Sequence, residues 1–488
     1  ISLRENVIFR GGFVLHYIKR YNQEIALGFF ATGMLFYALG ITSFGKGFAI
    51  QTFIHIGGLL FIIYNYRSFS VRTWRILMLP IICFSIVAIL GLLTIFDDVW
   101  QRKVSVVLKA INQNIIGIFV LFVIMFLYAM YARFKNVLYF LCFFALLCLV
   151  EVCSTIYLGV SNGFFKGANN VPYFFKAIFT YNLWLLAPMA ISLAAVMVCK
   201  KPVFKLLGVC GIILTFIAML ANGERSFIVT FVCMLFVPFI LWHYKHKMQI
   251  ALGTFSVIIL CIVGFYHVSK DLPLRYNFAH MLDNFLVVWQ SSPAEMGQFD
   301  EACFDIKQKW LRCAEESLVV GKNEISIEHS ALSRINMSKS TFLAVLDEPF
   351  KPHIVGVFQV GEYLWHYYNR KNPQNRSYIV LDDQANKNAN GYNSPHNFAI
   401  SLLFCYGIIG FLCIVAFQGF LLYSAKKSIK QKNVFVAFWG LVLGIFVIGI
   451  CAQSLFDVFY TVILQPMFII FGILAGLGWR DENLTYHR

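Results

Sequence analysis

His396 and Asn397 stand where a polar stretch of the chain turns into a long apolar run, in the segment GYNSPHNFAISLLFCYGIIG. Imidazole has an ordinary pKa near 6.5, so a histidine can take a proton from a hydroxyl group at neutral pH. A histidine in front of an apolar run is also a common interfacial residue without a chemical role. The sequence around His396 is needed to distinguish between these two interpretations.

The composition predicts a membrane protein. Of the 488 residues, 59% are hydrophobic and 13% are charged, whereas a soluble domain carries roughly 25% charged residues. A helix needs roughly 20 apolar residues to cross a bilayer. Runs of this kind occur near residues 25–45, 48–66, 76–96, 112–131, 137–158, 177–199, 203–221, 226–244, 250–268, 397–424, 434–452 and 458–478. We therefore expect an all-α, polytopic integral membrane protein with about twelve transmembrane helices.

The distribution of basic residues predicts the orientation of these spans. Most Lys and Arg residues lie near the two termini and in alternate short connections, such as YRSFSVRTWR, CKKPVFK and AKKSIKQK. Basic loops favour the cytoplasmic side of a membrane, so we expect both termini in the cytoplasm. This bias accounts for the net charge of +16, and no nucleic-acid partner is needed to explain it.

One long polar segment divides the chain into three parts. We expect an N-terminal membrane domain of about nine helices over 1–268, a large periplasmic loop or cap over 269–396, and about three C-terminal helices with a short cytoplasmic tail over 397–488. Apolar residues recur at helical spacing in LRYNFAHMLDNFLVVW and SALSRINMSKSTFLAVL, which predicts a mostly helical cap. Cys303 and Cys313 lie in this cap, and the sequence leaves open whether they form a disulfide.

The start of the tenth span predicts how His396 is presented. Ser394 is a candidate N-cap and Pro395 suits the first turn, which would place His396 inside the helix. Gly407 and Gly410 then follow on the same face as the histidine, several turns deeper. Small residues let another helix approach closely, so we expect this face to point into the protein.

The order His-Asn, nine residues, Gly, two residues, Gly after a large loop resembles the O-antigen ligase and polymerase superfamily. Two further segments carry the resemblance. In ANGERSFIVTFV, Arg225 corresponds to the family's arginine at the start of the eighth span, with Glu224 in place of the usual small residue. In SRINMSKSTFLAVLDEPFKPHIVGVF, Arg334 corresponds to the family's loop arginine, with Ser338 in place of the usual Trp.

The resemblance implies a GT-C-like membrane glycosyltransferase that needs neither a metal nor a nucleotide cofactor. It implies that His396 is the catalytic base and that Arg225 and Arg334 bind the donor pyrophosphate, for which planar bidentate guanidinium groups are suited. Asn397, the two glycines and Asp457 are expected to support the site. An acid at Asp457 would orient His396 or hold an arginine, and a simple boundary residue is the alternative.

The implied donor is a glycan linked to undecaprenyl pyrophosphate in the bacterial inner membrane, with the active site facing the periplasm. The acceptor would be the lipid A-core in an O-antigen ligase, another lipid-linked glycan in a polymerase, or a protein in an O-oligosaccharyltransferase. A transporter or flippase is the more remote alternative. Transporters place polar residues at the membrane midplane, and here Glu151 is the clearest intramembrane acid. Asp97 and Asp98 lack a third metal ligand at a suitable spacing.

Overall fold

The computed structural model describes most of the chain from residue 2 to residue 480. The described part leaves out residues 1, 42, 45–46, 165–181, 224–225, 243–247, 250–251, 254, 257–258, 260–262, 265, 268–276, 292–303, 306–309, 312–316, 321–322, 327–328, 372–394 and 481–488. The described residues form fifteen α-helices.

The helices follow the apolar runs of the sequence. They are α1 Ser2–Ala38, α2 Ala49–Asn65, α3 Val71–Leu93, α4 Val104–Ile111, α5 Gly117–Tyr131, α6 Phe134–Asn162, α7 Asn182–Val198, α8 Pro202–Asn222, α9 Ser226–Leu241, α10 Phe278–Gln290, α11 His329–Asp347, α12 Val360–Lys371, α13 Phe398–Ile429, α14 Val434–Gln453 and α15 Thr461–Trp479. A π-helical turn, Asn112–Ile116, joins α4 to α5.

Eight helical segments among the described residues are long and apolar enough to cross a membrane. They are Ala49–Ser68, Val71–Phe96, Val104–Tyr131, Phe134–Asn162, Pro202–Asn222, Phe398–Ile429, Val434–Gln453 and Thr461–Trp479. The helices α7 and α9 are shorter but also apolar. The predicted all-α polytopic architecture is confirmed. About half of the predicted ninth span, 250–268, lies outside the described residues.

The basic connections meet at one end of the helix bundle. The backbone N–H of Ser70 donates to Tyr131 Oη at 2.9 Å, and Arg480 Nη1 donates to the carbonyl oxygen of Ala129 at 2.9 Å. The connection between α2 and α3, the connection between α5 and α6 and the end of α15 therefore lie together, as alternating spans require. We call this the basic end of the bundle and the opposite end the cap end.

The N-terminal and C-terminal helices share one apolar core. The helices α5 and α15 approach closely, and a Cβ atom on Gly472 would lie 2.4 Å from the carbonyl oxygen of Phe122. A Cβ atom on Gly476 would lie 2.5 Å from that of Phe126. These glycines let two helices pack backbone against backbone, the usual way that helices associate in lipid.

The cap contains strands as well as the expected helices. The helices α10 and α11 coincide with the two segments of helical periodicity, and α12 extends helical structure to Lys371. Four short strands form two antiparallel pairs, β3 Phe304–Asp305 with β4 Trp310–Leu311, and β5 Ser317–Val320 with β6 Asn323–Ser326. A third pair, β1 Ser43–Phe44 with β2 Gly47–Phe48, joins α1 to α2.

The pair of β3 and β4 bears on the two cap cysteines. Cys303 and Cys313 lie outside the described residues, directly before β3 and two residues after β4. Because the two strands are antiparallel, the chain between the cysteines turns back on itself. This turn is a condition for a disulfide over such a short separation, since a continuous helix would hold the cysteines about 15 Å apart.

Candidate functional site

The helix α13 begins later than the sequence predicted. Its N-cap is Asn397, whose side-chain oxygen accepts a hydrogen bond from the N–H of Ile400 at 2.9 Å. His396 precedes the cap with a φ of 48°, a left-handed conformation that a helix cannot continue. The prediction that His396 and Asn397 lie within the first helical turn is therefore wrong. His396 does not share a helix face with Gly407 and Gly410.

Gly407 interrupts α13 and does not continue a small-residue stripe. Its φ is 64° and its ψ is −179°, values that favour glycine. The N–H of the next residue, Ile408, donates to the carbonyl oxygen of Pro349 at 2.9 Å, and a Cβ atom on Gly407 would lie 2.8 Å from the carbonyl oxygen of Phe350. The cap backbone thus docks into the break in α13.

Gly410 lies where α13 packs against α3. A Cβ atom at this position would lie 3.1 Å from the side chain of Leu90 on α3. Glycine here lets α3 pack closely against α13, whereas Gly407 serves the cap. The two glycines therefore pack against different neighbours.

The connection between α14 and α15, residues 454–460, holds the start of α13. The Asn397 amide donates from Nδ2 to the carbonyl oxygen of Leu455 at 3.0 Å. The N–H of Phe398 lies 2.7 Å from the carbonyl oxygen of Ser454 and 2.9 Å from that of Asp457. The Asp457 residue is fully buried, and its Oδ1 accepts from the N–H of Val458 at 3.0 Å. The expected supporting residues Asn397 and Asp457 therefore lie together, on either side of this junction.

A second set of bonds ties the start of α9 to the same connection. The Gln453 amide donates from Nε2 to Ser226 Oγ at 2.8 Å, and Thr230 Oγ1 donates to Gln453 Oε1 at 2.6 Å. Ser226 follows Arg225 directly in the chain, although Arg225 itself lies outside the described residues. The start of α9 is thus attached to the end of α14, one residue before the connection that holds Asn397. The sequence had not singled out Gln453 and Thr230. Polar side chains within apolar runs are rare, and this feature could have marked both residues as candidates.

Arg334 on α11 acts electrostatically on His396. Burial, followed by the positive charge of Arg334, lowers the pKa of His396 from 6.5 to about 3. Both causes disfavour the imidazolium ion, so the imidazole is neutral at pH 7. The fold brings together two residues that the sequence separates by a long stretch of cap.

Ser338 fastens α11 to the segment that carries His396. It lies one helical turn after Arg334, and its hydroxyl group donates to the carbonyl oxygen of Pro395 at 2.9 Å. Ser338 replaces the Trp that is usual in the related family, and the sequence alone assigned it no role. The structure shows that the shorter side chain makes a direct bond to the residue before His396.

A separate polar cluster attaches the cap to the connection between α3 and α4. Asp97 is buried and accepts a hydrogen bond from Tyr363 Oη at 2.6 Å. Lys351 Nζ lies 3.4 Å from Asp97 Oδ2 and 2.8 Å from Asp98 Oδ1. His353 stacks on Phe404 of α13 with ring centroids 4.5 Å apart. The two aspartates therefore bind cap residues, and His353 packs between the cap and α13.

The transporter alternative depended on polar groups deep in the bundle. Glu151 of α6 is buried, with its backbone carbonyl oxygen accepting from Thr155 Oγ1 at 3.0 Å. The structure instead brings together His396, Arg334, Asn397 and Asp457 at the cap end, four residues that the sequence had singled out.

Comparison with known proteins gave one family match. No curated protein matches the chain. The family model described as O-antigen ligase matches residues 210–415, a stretch that contains Arg225, Arg334, His396 and Asn397 and ends before Asp457. Members of this family are glycosyltransferase-like membrane enzymes that handle lipid-linked glycans. Residues 210–415 of the chain are thus similar to the O-antigen ligase family, and this match supports the resemblance to the O-antigen ligase and polymerase superfamily.

Proposed function

We propose that the protein is an O-antigen ligase of the bacterial inner membrane. It transfers a glycan from undecaprenyl pyrophosphate to the lipid A-core of lipopolysaccharide at the periplasmic face. The observation that carries the proposal is that Arg334 acts electrostatically on a half-buried, neutral His396, which directly precedes the capped start of α13.

The reaction needs a base and a cationic site for the leaving group. The acceptor hydroxyl oxygen forms a bond to the anomeric carbon while the bond from that carbon to the phosphate oxygen breaks. His396 takes the hydroxyl proton, and undecaprenyl pyrophosphate leaves with the electron pair. Arg225 and Arg334 bind the pyrophosphate through bidentate hydrogen bonds and stabilise the charge that develops on it.

The low pKa of His396 suits a base that works only in the complex with donor. In the free protein the imidazole is neutral, which is the form that accepts a proton, but burial and Arg334 make it a weak base. An anionic pyrophosphate beside Arg334 offsets the guanidinium charge. Donor binding therefore raises the pKa of His396 and strengthens the base at the step that uses it.

Purified protein, lipid-linked donor and lipid A-core acceptor test the assignment of the base. We expect His396→Ala to reduce transfer by about 10²–10⁴-fold, the usual contribution of a general base, while donor binding persists. His366→Ala is the matched control, because His366 is a cap histidine whose ring stacks on Trp100. Near-normal transfer by His396→Ala would refute the proposed mechanism.

Substitution of Arg225 should have a different kinetic effect from substitution of His396. Arg225→Ala should weaken donor binding and slow transfer together, because the pyrophosphate charge is present before the reaction begins. Arg225→Lys should recover only part of both, since lysine keeps the charge but loses the planar fork. A chelator should leave transfer unchanged. Unaltered donor affinity in Arg225→Ala would exclude Arg225 from the donor site.

The identity of the acceptor is tested in a deletion strain. Long glycan chains that accumulate on the lipid carrier without attachment indicate a ligase. A lipid A-core that carries a single repeat indicates the polymerase alternative, and loss of glycan from a protein indicates an O-oligosaccharyltransferase. Lipid-linked repeats retained on the cytoplasmic side indicate a flippase.

A further inference from the structure

The cap helix α10 exposes a stripe of large apolar side chains. Leu282, Phe285, Leu286 and Trp289 are 46%, 42%, 44% and 47% exposed. Their spacing of three and four residues places them within an arc of about 100° on one face of the helix. We call these four side chains the α10 stripe.

The side of α10 that is buried carries a polar residue. Asn284 and Val288 are buried, and their positions lie on the opposite side of the helix from the stripe. A cap helix that faced only water would bury its apolar side and expose Asn284. Four large apolar side chains thus remain exposed on one face of α10, and an exposed contiguous apolar surface of this kind marks a contact with a partner or a membrane.

Contacts with α11 fix α10 in this orientation. Lys339 Nζ donates to the carbonyl oxygens of Val288, Trp289 and Ser291 at 2.9, 2.7 and 2.5 Å, so a buried lysine caps the C-terminal end of α10. The ring of Trp289 also stacks against Phe342 of α11, with centroids 6.3 Å apart. The stripe therefore cannot turn inward without breaking the three lysine bonds.

We propose that the α10 stripe inserts into the lipid leaflet at the cap end of the bundle. The helix α11, which holds α10 through Lys339, is attached to the cap end of the bundle. Its Ser338 binds Pro395, three residues before the membrane-spanning α13 begins. Leu455 and Phe456, at the same end, are also exposed at 53% and 39%. The stripe contains a tryptophan and is bordered by the polar Asp283, as in helices that lie in a membrane interface.

Lipid contact at α10 would fix the position of the candidate site relative to the membrane surface. The helix α11 carries Lys339, which holds α10, and Arg334, which acts on His396. An interfacial α10 therefore keeps Arg334 near the level of lipid headgroups. The lipid contact is a property of the surface alone and does not depend on which glycan the protein transfers.

Photo-crosslinking of the full-length protein in phospholipid nanodiscs tests the insertion. Leu286→p-benzoylphenylalanine places the reactive group on the stripe, and Asp283→p-benzoylphenylalanine places it on the same helix at the border. After irradiation, intact-protein mass spectrometry measures the fraction that carries one added phospholipid. We expect at least a five-fold larger fraction at position 286 than at position 283.

Three outcomes would overturn the proposal: no lipid adduct at position 286, equal adducts at both positions, or a covalent dimer of the chain in place of the lipid adduct. Trp289→p-benzoylphenylalanine repeats the measurement on the same stripe if the first variant is not recovered in folded form. An adduct at position 289 supports the insertion, and its absence contradicts it. The readout is a mass, so it separates lipid contact from any loss of transfer activity.

Discussion

The pH dependence of transfer follows from the surroundings of His396. Burial and the charge of Arg334 lower its pKa from 6.5 to about 3. The acid limb of kcat/KM reports the pKa of the base in the free enzyme. We therefore expect kcat/KM of the wild-type protein to stay level from pH 8 down to about pH 5, without the fall near 6.5 that an ordinary histidine would produce.

Removal of the Arg334 charge should shift the acid limb of kcat/KM to higher pH, and the contribution of Arg334 to the pKa of His396 sets an upper bound on this shift. Burial is the larger of the two causes, so Arg334 accounts for less than half of the difference of about 3.5 between 6.5 and 3. Half of that difference added to 3 gives about 4.75, and the pKa of His396 in Arg334→Gln should therefore rise but stay below about 5. The direction is upward because the guanidinium charge opposes protonation of the imidazole.

The assay is transfer in proteoliposomes at subsaturating donor, measured from about pH 3 to pH 8. Arg370→Gln is the matched control, because Arg370 is a cap arginine that donates to the carbonyl oxygen of Asp98 at 3.0 Å. Its acid limb should coincide with that of the wild type. A wild-type limb near pH 6.5, or a limb that Arg334→Gln leaves in place, would refute the electrostatic link between Arg334 and His396.

Three further predictions test the supports of the site and the orientation of the cap. Gly407→Ala should destabilise the protein by about 1–3 kcal/mol or more, because alanine is strained at this positive φ and its Cβ meets cap backbone. Gly419→Ala, on the same helix with open space around it, should leave the melting temperature in detergent nearly unchanged; equal effects would contradict the docking of the cap at the helix break. Tyr363→Phe should cost about 1–3 kcal/mol by leaving the buried Asp97 carboxylate without its hydroxyl donor, and unchanged thermal stability would mean that this bond does not hold the cap. A cysteine that replaces Asn388 should react with an impermeant thiol reagent in intact spheroplasts, beyond the reaction of the parent protein; labelling only after lysis would reverse the proposed topology.

The sequence alone determined the membrane-spanning elements and the residue types of the site. Each span in lipid has to satisfy its own backbone hydrogen bonds, so a long apolar run is sufficient to predict a helix. The order of His396, Gly407 and Gly410 after a large loop was likewise local information, and it selected the family that the later comparison found.

The exact start of α13 was decided by tertiary contacts. Ser394 and Asn397 both belong to the residue types that cap helices, and the sequence favoured the earlier position. The later one prevails because Asn397 also bonds to the carbonyl oxygen of Leu455, and Phe398 bonds to the same connection. Gly407 was misassigned for a related reason, since its true neighbour is the cap backbone at Pro349.

The chemistry of the site likewise depends on residues that are distant in the chain. Arg334 and His396 belong to different segments, and only the packing of α11 against the start of α13 lets one charge act on the other. Periodicity and composition report on neighbours within a few residues. Burial and electrostatic coupling depend on distances in space, so the low pKa of His396 is a property of the tertiary structure alone.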